Sequence, residues 1–354
     1  MVQPPASPND SPRPAPARSA PSTRGAPAAA VIILLASLAM IAPAPGPMAG
    51  PGSARGQQPT TGAAPSYGGM TDTERGQLLG ELRDVYSAWR SAILRRHAGQ
   101  WQATTSEHRR HQVHNEIVSN GGAYPDALFQ VIQAPPQLGP LRIVDVRLGT
   151  GTARLTFFGQ LHYDPVSAPD PATPQDLMHV VFHQGPDGWA IDGIAHVSLE
   201  NRPDWRRQFM NLDYSALAEP AFRFDKAKPE TPPLCEPPEN VAMLQVFAHG
   251  YRVTAEINGY RYPEVNDGSV HFIVIGGLNN GPNRVELEMQ PVGDDDPLPS
   301  PDGRHLAVNL WVRAGQPGED SSRVFHYMPR PGQAPPRHTA NVEVNPRTLA
   351  EGRR

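Results

Sequence analysis

Three histidines recur at intervals of three in the stretch SEHRRHQVHNE, residues 106–116: His108, His111 and His114, with Glu107 and Glu116 at its edges. Imidazoles three apart on a helix are neighbours and imidazole is a zinc ligand, so a two-histidine site on His108 and His111 is sterically allowed. A third ligand from His114 is harder to recruit. At about 100° per residue, His108 and His114 lie nearly two turns apart, and Arg109 and Arg110 oppose a cation. Trp101, Val113 and Ile117 mark the apolar face of the same stretch, which turns the histidines towards its flank and solvent. The spacing predicts a polar helix face whose charge rises below about pH 6.5, and no metal.

The other groups able to move protons are Tyr86, Asp145, His162, His179, His183 and Asp192. His179 and His183 share a face of one predicted strand, yet four residues of strand span roughly 13 Å, too far to share a proton or a metal. Asp192 alternates with Ile191 and can point to solvent. Asp145 alternates with apolar neighbours and faces either a cavity or water. No acid–base couple stands out. Cys235 is the one cysteine, in the proline-flanked PPLCEPPEN, so no intramolecular disulfide exists and nothing nearby activates the thiol. GDDDPLPSPDG, residues 293–303, lacks EF-hand spacing and reads as a solvated loop. Phosphate-loop, H-E-x-x-H and G-x-S-x-G motifs are missing. The net charge of −4 brings no basic excess for nucleic acid.

Several elements must position these groups. Residues 28–42, AAAVIILLASLAMIA, form an uncharged apolar run after Arg13, Arg18 and Arg24. It is shorter than the roughly 20 residues a spanning helix needs and suits a secretory signal, with an uncleaved signal-anchor as the alternative. The leader is taken as residues 1–54 and a linker as 55–70; the globular part is expected outside the cytoplasm, periplasmic or secreted. From residue 71, Leu78, Leu79, Leu82, Val85, Tyr86, Trp89, Ile93 and Leu94 draw a helical stripe opened by a Thr71/Glu74 capping box. A second helix is expected over about 98–119 and a short third element at DALFQVI. Four strands follow in hairpins: LRIVDVRL, TARLTFFGQLHYD after GTG, DLMHVVFHQ, and WAIDGIAHVSL after GPDG. Helices followed by an antiparallel meander predict an α+β domain over 71–215. DKAKPETPPLCEPPEN then reads as a stiff linker, within 216–240. Strand signals resume at AMLQVFAHGYRVTAEINGYRYPEV, whose NG marks a hairpin. An all-β sandwich is expected over 241–330, with a disordered tail over 331–354.

The hairpin VDVRLGTGTARLTFFG and the closing pair VVFHQGPDGWAIDGI, behind the long helix, resemble the NTF2-like (SnoaL/ketosteroid-isomerase-like) cone, with Trp189 and Ile191 at its core positions. Residues 241–330, including LNNGPNRVELEM, resemble bacterial Ig-like modules. AWRSAILRRHAGQWQATT, NEIVSNGGAYPDALF and LTFFGQLHYD look like segments of exported proteins of planctomycete-type bacteria. The cone resemblance implies a pocket lined by Tyr86, Trp89, Asp145, His162, His179 and Trp189, and pairing of two copies through the sheet.

The expectation is therefore an exported, non-catalytic two-domain protein that binds a small apolar ligand or an envelope protein, without cofactor and without nucleic acid. It would touch the membrane only through an N-terminal signal-anchor. The alternative is an isomerase- or hydrolase-type enzyme with its active site in the cone.

Overall fold

The computed structural model describes residues 70–352, apart from 133, 164–173, 201, 220–221, 223, 225–226, 293–303 and 314–320. The apolar run 28–42, the rest of the leader, the linker up to residue 69 and the triple-aspartate loop lie outside the described residues. The described chain is mixed α+β, with a curled antiparallel sheet.

Helix α1, Asp72–Leu94, starts where the capping box predicts: Glu74 N–H donates to Thr71 Oγ1 at 3.2 Å, and Thr71 N–H donates to Glu74 Oε2 at 2.7 Å. Its stripe buries Leu82, Tyr86, Trp89, Ala92 and Ile93, each large side chain stabilising by about 1.5–3 kcal/mol. The single helix expected over 98–119 is two, α2 (Ala98–Thr104) and α3 (Glu107–Ser119). Thr105 takes an extended conformation and forms a parallel bridge to Ile191, and Ser106 caps α3 by accepting from Arg109 N–H at 3.0 Å. A β-branched pair followed by a good N-cap residue breaks the helix there. A one-turn helix α4, Leu128–Val131, stands where a short third element was predicted.

Strands β1 (Arg142–Gly149), β2 (Thr152–Gln160), β3 (Gln175–Gly185) and β4 (Gly188–Val197) form an antiparallel meander in sequence order. The GTG turn closes at Gly149↔Thr152 with Gly151 at φ 68°. Leu155, Phe157, Met178, Val180, Phe182 and Ile191 meet Leu82, Tyr86, Trp101, Val113 and Ile117 on one face of the sheet. The other face is covered by Leu199, by Phe209 of α5 (Pro203–Met210), and by Ala216, Leu217 and Phe222 around a 3-10 turn, Ser215–Ala218.

Strict alternation fails in β1. The register shifts between Ile143 and Asp145, so Val144 lies with Phe158 and Phe209 while Val146 packs towards α1. One extra residue in a strand reverses the faces beyond it. Ile143 and Asp145, which an unbroken alternation would place on one face, therefore part company. Ile143 packs towards α1, and Asp145 contacts arginines tied to the opposite cover.

The proline-rich stretch after the cover runs along α3. Asn115 Nδ2 donates to Pro233 O at 2.8 Å and Asn115 Oδ1 accepts Cys235 N–H at 2.9 Å. The second sheet has the order β10-β9-β5-β8-β11, built from β5 (Ala242–Ile257), β8 (Gly281–Pro291), β9 (His305–Val312), β10 (Ser322–Tyr327) and β11 (Arg337–Val344). Strands β6 (Tyr260–Arg261) and β7 (Val265–Ile273) also pair with β5. Within β5 the buried residues are Ala242, Leu244, Val246 and Ala248, then Tyr251, Val253, Ala255 and Ile257. The phase changes at Gly250, φ 71°, where β9 gives way to β8 as a neighbour. The NG turn is as predicted, with Asn258 at φ 50° and Gly259 at φ 85°.

The tail expected to be disordered from residue 331 is not so. Residues 337–344 pair with β8 through eight registered positions, burying Val342 and Val344, and a capped helix α6, Pro346–Glu351, follows. The alternation His338, Ala340, Val342, Val344, half-buried at the first two positions and buried at the last two, is a strand signal that the preceding prolines masked. Among the described residues no helix is long and apolar enough to cross a membrane.

Candidate functional site

The residues expected to line one pocket do not share a surface. Tyr86 and Trp89 are buried in the core between α1 and the first sheet, and Trp189 packs at its margin. Tyr86 donates its hydroxyl to Pro136 O at 2.6 Å, and burial pushes its pKa up. Asp145 and His179 belong to the opposite face. There Arg147 Nε donates to Asp145 Oδ2 at 2.6 Å, and both Arg147 and Arg154 donate to Phe222 O, at 2.9 and 2.7 Å. His179 Nδ1 meets Thr156 Oγ1 at 2.9 Å, and its ring stands edge-on to Phe222. Burial first, then the charges of Arg154 and Arg147, push its pKa down to about 3. His162 lies half-buried past the end of β2.

The three histidines of α3 are not a solvated row. His111 Nδ1 meets Pro232 O at 2.8 Å, and His114 packs edge-on against Tyr124 with ring centres 5.0 Å apart. His108 goes elsewhere, to a partner 84 residues away. Its Nδ1 lies 2.9 Å from Asp192 Oδ1.

Asp192 reaches that position through a second irregularity. Between β3 and β4 the pairing runs Val181↔Gly193 and then Phe182↔Ile191, which leaves Asp192 as the extra residue of a bulge. Beside it, Ser106 N–H donates to Ile191 O at 2.8 Å, so the start of α3 is fixed against the edge of β4. Ser106 Oγ donates to Asp192 Oδ1 at 2.5 Å, and His183 Nδ1 stands 3.1 Å from the same oxygen. Burial would push the Asp192 carboxyl up, but the close approach of His108, His183 and Ser106 outweighs it and holds the group far below the usual carboxylate range. The carboxylate also sits at the positive end of α3, an arrangement worth about 0.3–1 kcal/mol.

Serine, histidine and aspartate here are not wired as a nucleophilic triad. In such a triad the base takes the serine proton while the carboxylate orients the base. Here Ser106 gives its proton directly to Asp192 and accepts Arg109 N–H as a helix cap, so the hydroxyl is not activated. The arrangement can hold a cation or act as a polar latch between α3 and β4. One ligand atom each from His108, His183 and Asp192 all lie within 4.8 Å of one another.

The sequence singled out His108 and paired it with His111; the structure pairs it with His183 and Asp192 instead. Both were visible as proton-carrying candidates. Their convergence with His108 was hidden, since it depends on one bulge residue and on a helix break. Compared with models of known protein families, with curated proteins and with solved structures, the chain matches none.

Proposed function

We propose that the protein is exported and acts at the cell envelope as a non-catalytic binding protein, an NTF2-like cone followed by an Ig-like β-sandwich. The four-stranded meander with α1 across one face supports the first assignment, and the bent seven-stranded antiparallel sheet supports the second. The observation that carries the non-catalytic role is the filling of the face on which the cone would hold a substrate. Trp101, Phe157 and Phe182 are fully buried there, and the Tyr86 hydroxyl is engaged with a backbone carbonyl rather than aimed at a partner acid. A general acid or base must have its proton within reach of a substrate atom. The same filling favours an envelope protein over a small apolar ligand as the partner.

Fractionation of a bacterial host producing the full chain, combined with turnover assays on ester and enone substrates, tests this reading. Recovery in the periplasm or medium with no saturable turnover is expected. Recovery in the cytoplasm overturns the envelope role, and saturable turnover abolished by Tyr86→Phe overturns the non-catalytic one.

A further inference from the structure

We propose that His108, His183 and Asp192 form a binding site for a divalent first-row transition metal, with zinc as the probe of choice. The site stands apart from the binding role proposed above.

Three observations converge on it. The first is crowding at one atom. Asp192 Oδ1 faces Ser106 Oγ at 2.5 Å, His108 Nδ1 at 2.9 Å and His183 Nδ1 at 3.1 Å. A carboxylate oxygen carries two lone pairs, and the hydrogen bonds from Ser106 and His108 take both, so the third neighbour, His183 Nδ1, has no place at that atom. The second is an orphan. His183 is 3% exposed, and its Nδ1, although near Asp192, makes no hydrogen bond. A buried polar atom without a partner calls for an explanation such as an ion. The third is spacing. Ligands of a tetrahedral zinc with bonds of about 2.0–2.1 Å stand about 3.3 Å apart, close to the 2.9 and 3.1 Å separations of the two imidazoles from the carboxylate.

The donor set chooses the class of cation. Two imidazole nitrogens and one carboxylate oxygen suit zinc, iron, cobalt or nickel; calcium and magnesium take oxygen cages. Three protein ligands leave a position for water or a small ligand. Binding moves protons locally without releasing them from a neutral ring. In the arrangement seen, the Gln112 amide donates to His108 Nε2 at 3.1 Å, which places the His108 proton on Nδ1. With a metal on Nδ1 the proton sits on Nε2, and the Gln112 amide must turn to present its oxygen, giving up the hydrogen bond that this oxygen now accepts from Arg109 Nη1 at 3.1 Å. Such an outer partner fixes the ring, as is usual around metal-bound histidine.

The test is titration of zinc into the chelator-stripped full chain, read by competition with a chromophoric chelator and by melting temperature, with Co2+ as a spectroscopic stand-in. One equivalent should bind, raise the melting temperature and, for Co2+, give the intense visible bands of a four-coordinate N/O site. Asp192→Asn and His183→Gln should each weaken binding by more than about tenfold, the lower bound for changes outside the ligand set, and His111→Gln should leave it unchanged. Far-UV circular dichroism shows whether each variant is folded, and either folded ligand variant suffices. No binding by the wild-type chain, or binding that survives a folded ligand variant or is lost with His111→Gln, overturns the site. If neither ligand variant folds, Co2+ spectra of the wild type without histidine-to-cobalt signals in paramagnetic NMR overturn it, and two shifted imidazole resonances support it.

Discussion

His108 on α3 and Asp192 on β4 lie 84 residues apart in sequence and 2.9 Å apart in space, and the contact fastens a helix to the edge of a sheet. In the metal-free chain it works with the Ser106 hydroxyl, which both caps α3 and donates to Asp192. Asp192→Ala orphans the His108 and Ser106 donors, each orphaned group costing about 1–3 kcal/mol. Ser106→Ala loses the cap and one donor, about 0.5–2 kcal/mol. Urea unfolding in the presence of a chelator should therefore rank Asp192→Ala as the more destabilising of the two. An Asp192→Ala variant as stable as the wild type would remove the latch from consideration.

Tyr86 offers a simpler comparison. Its hydroxyl donates to Pro136 O at 2.6 Å from a side chain 1% exposed, while the ring fills the core beside Trp89. Tyr86→Phe keeps the packing and leaves one carbonyl without its donor, so a loss of about 0.5–1.5 kcal/mol is expected. Tyr86→Ala also opens a cavity and should cost about 3–5 kcal/mol, as for other large aromatic truncations. Equilibrium unfolding of the pair separates hydrogen bond from volume.

Much of the fold was legible because it rests on local periodicity. The stripe and capping box of α1, the GTG and NG turns and the four strands of the first sheet follow from short-range rules. What was not legible depends on single residues that break a period. The extra residues around Val144 and at Asp192 reverse which side chains share a face, and no pattern of period two announces them. The break at Thr105–Ser106 has a capping signal, but continued helical spacing on either side hid it. Asp192 was thus left between core and solvent, and His108 was matched with a sequence neighbour instead of a spatial one.

Gly250 is a break of the same kind in the second sheet. At φ 71° it reverses the buried phase of β5, and a Cβ placed there would lie 2.8 Å from Arg304 Cγ. Left-handed backbone costs an L-residue roughly 1–2 kcal/mol, and the Arg304 stem must also move. Gly250→Ala should lower stability by at least about 1 kcal/mol, whereas Gly76→Ala, in exposed α1 with open space around its Cβ, should raise it by about 0.5–1 kcal/mol. Opposite shifts in melting temperature for the two variants are the expected result. A neutral Gly250→Ala would mean that the bend of β5 does not depend on glycine.

The dependence of stability on acid should carry the signature of His179. Its ring is buried beneath Phe222 beside Thr156, with Arg154 and Arg147 adding positive charge and Asp145 bound to those arginines, and its pKa is pushed down to about 3. In the unfolded chain the same ring titrates near 6.5. Above that value both states hold it neutral and its contribution is fully present. Between about 6.5 and 3 the unfolded state binds a proton that the native state refuses, so stability falls as pH falls, by about 1.4 kcal/mol per unit. Below the native value both states are protonated and the slope from this group vanishes. His179→Gln keeps a polar partner for Thr156 and removes the titration. Between pH 7.5 and 5.5 the variant should therefore lose about 1.4 kcal/mol less stability than the wild type, whatever its absolute stability at neutral pH. Urea unfolding at the two pH values measures the difference directly, and parallel losses in the two proteins would show that His179 accepts its proton in the native state.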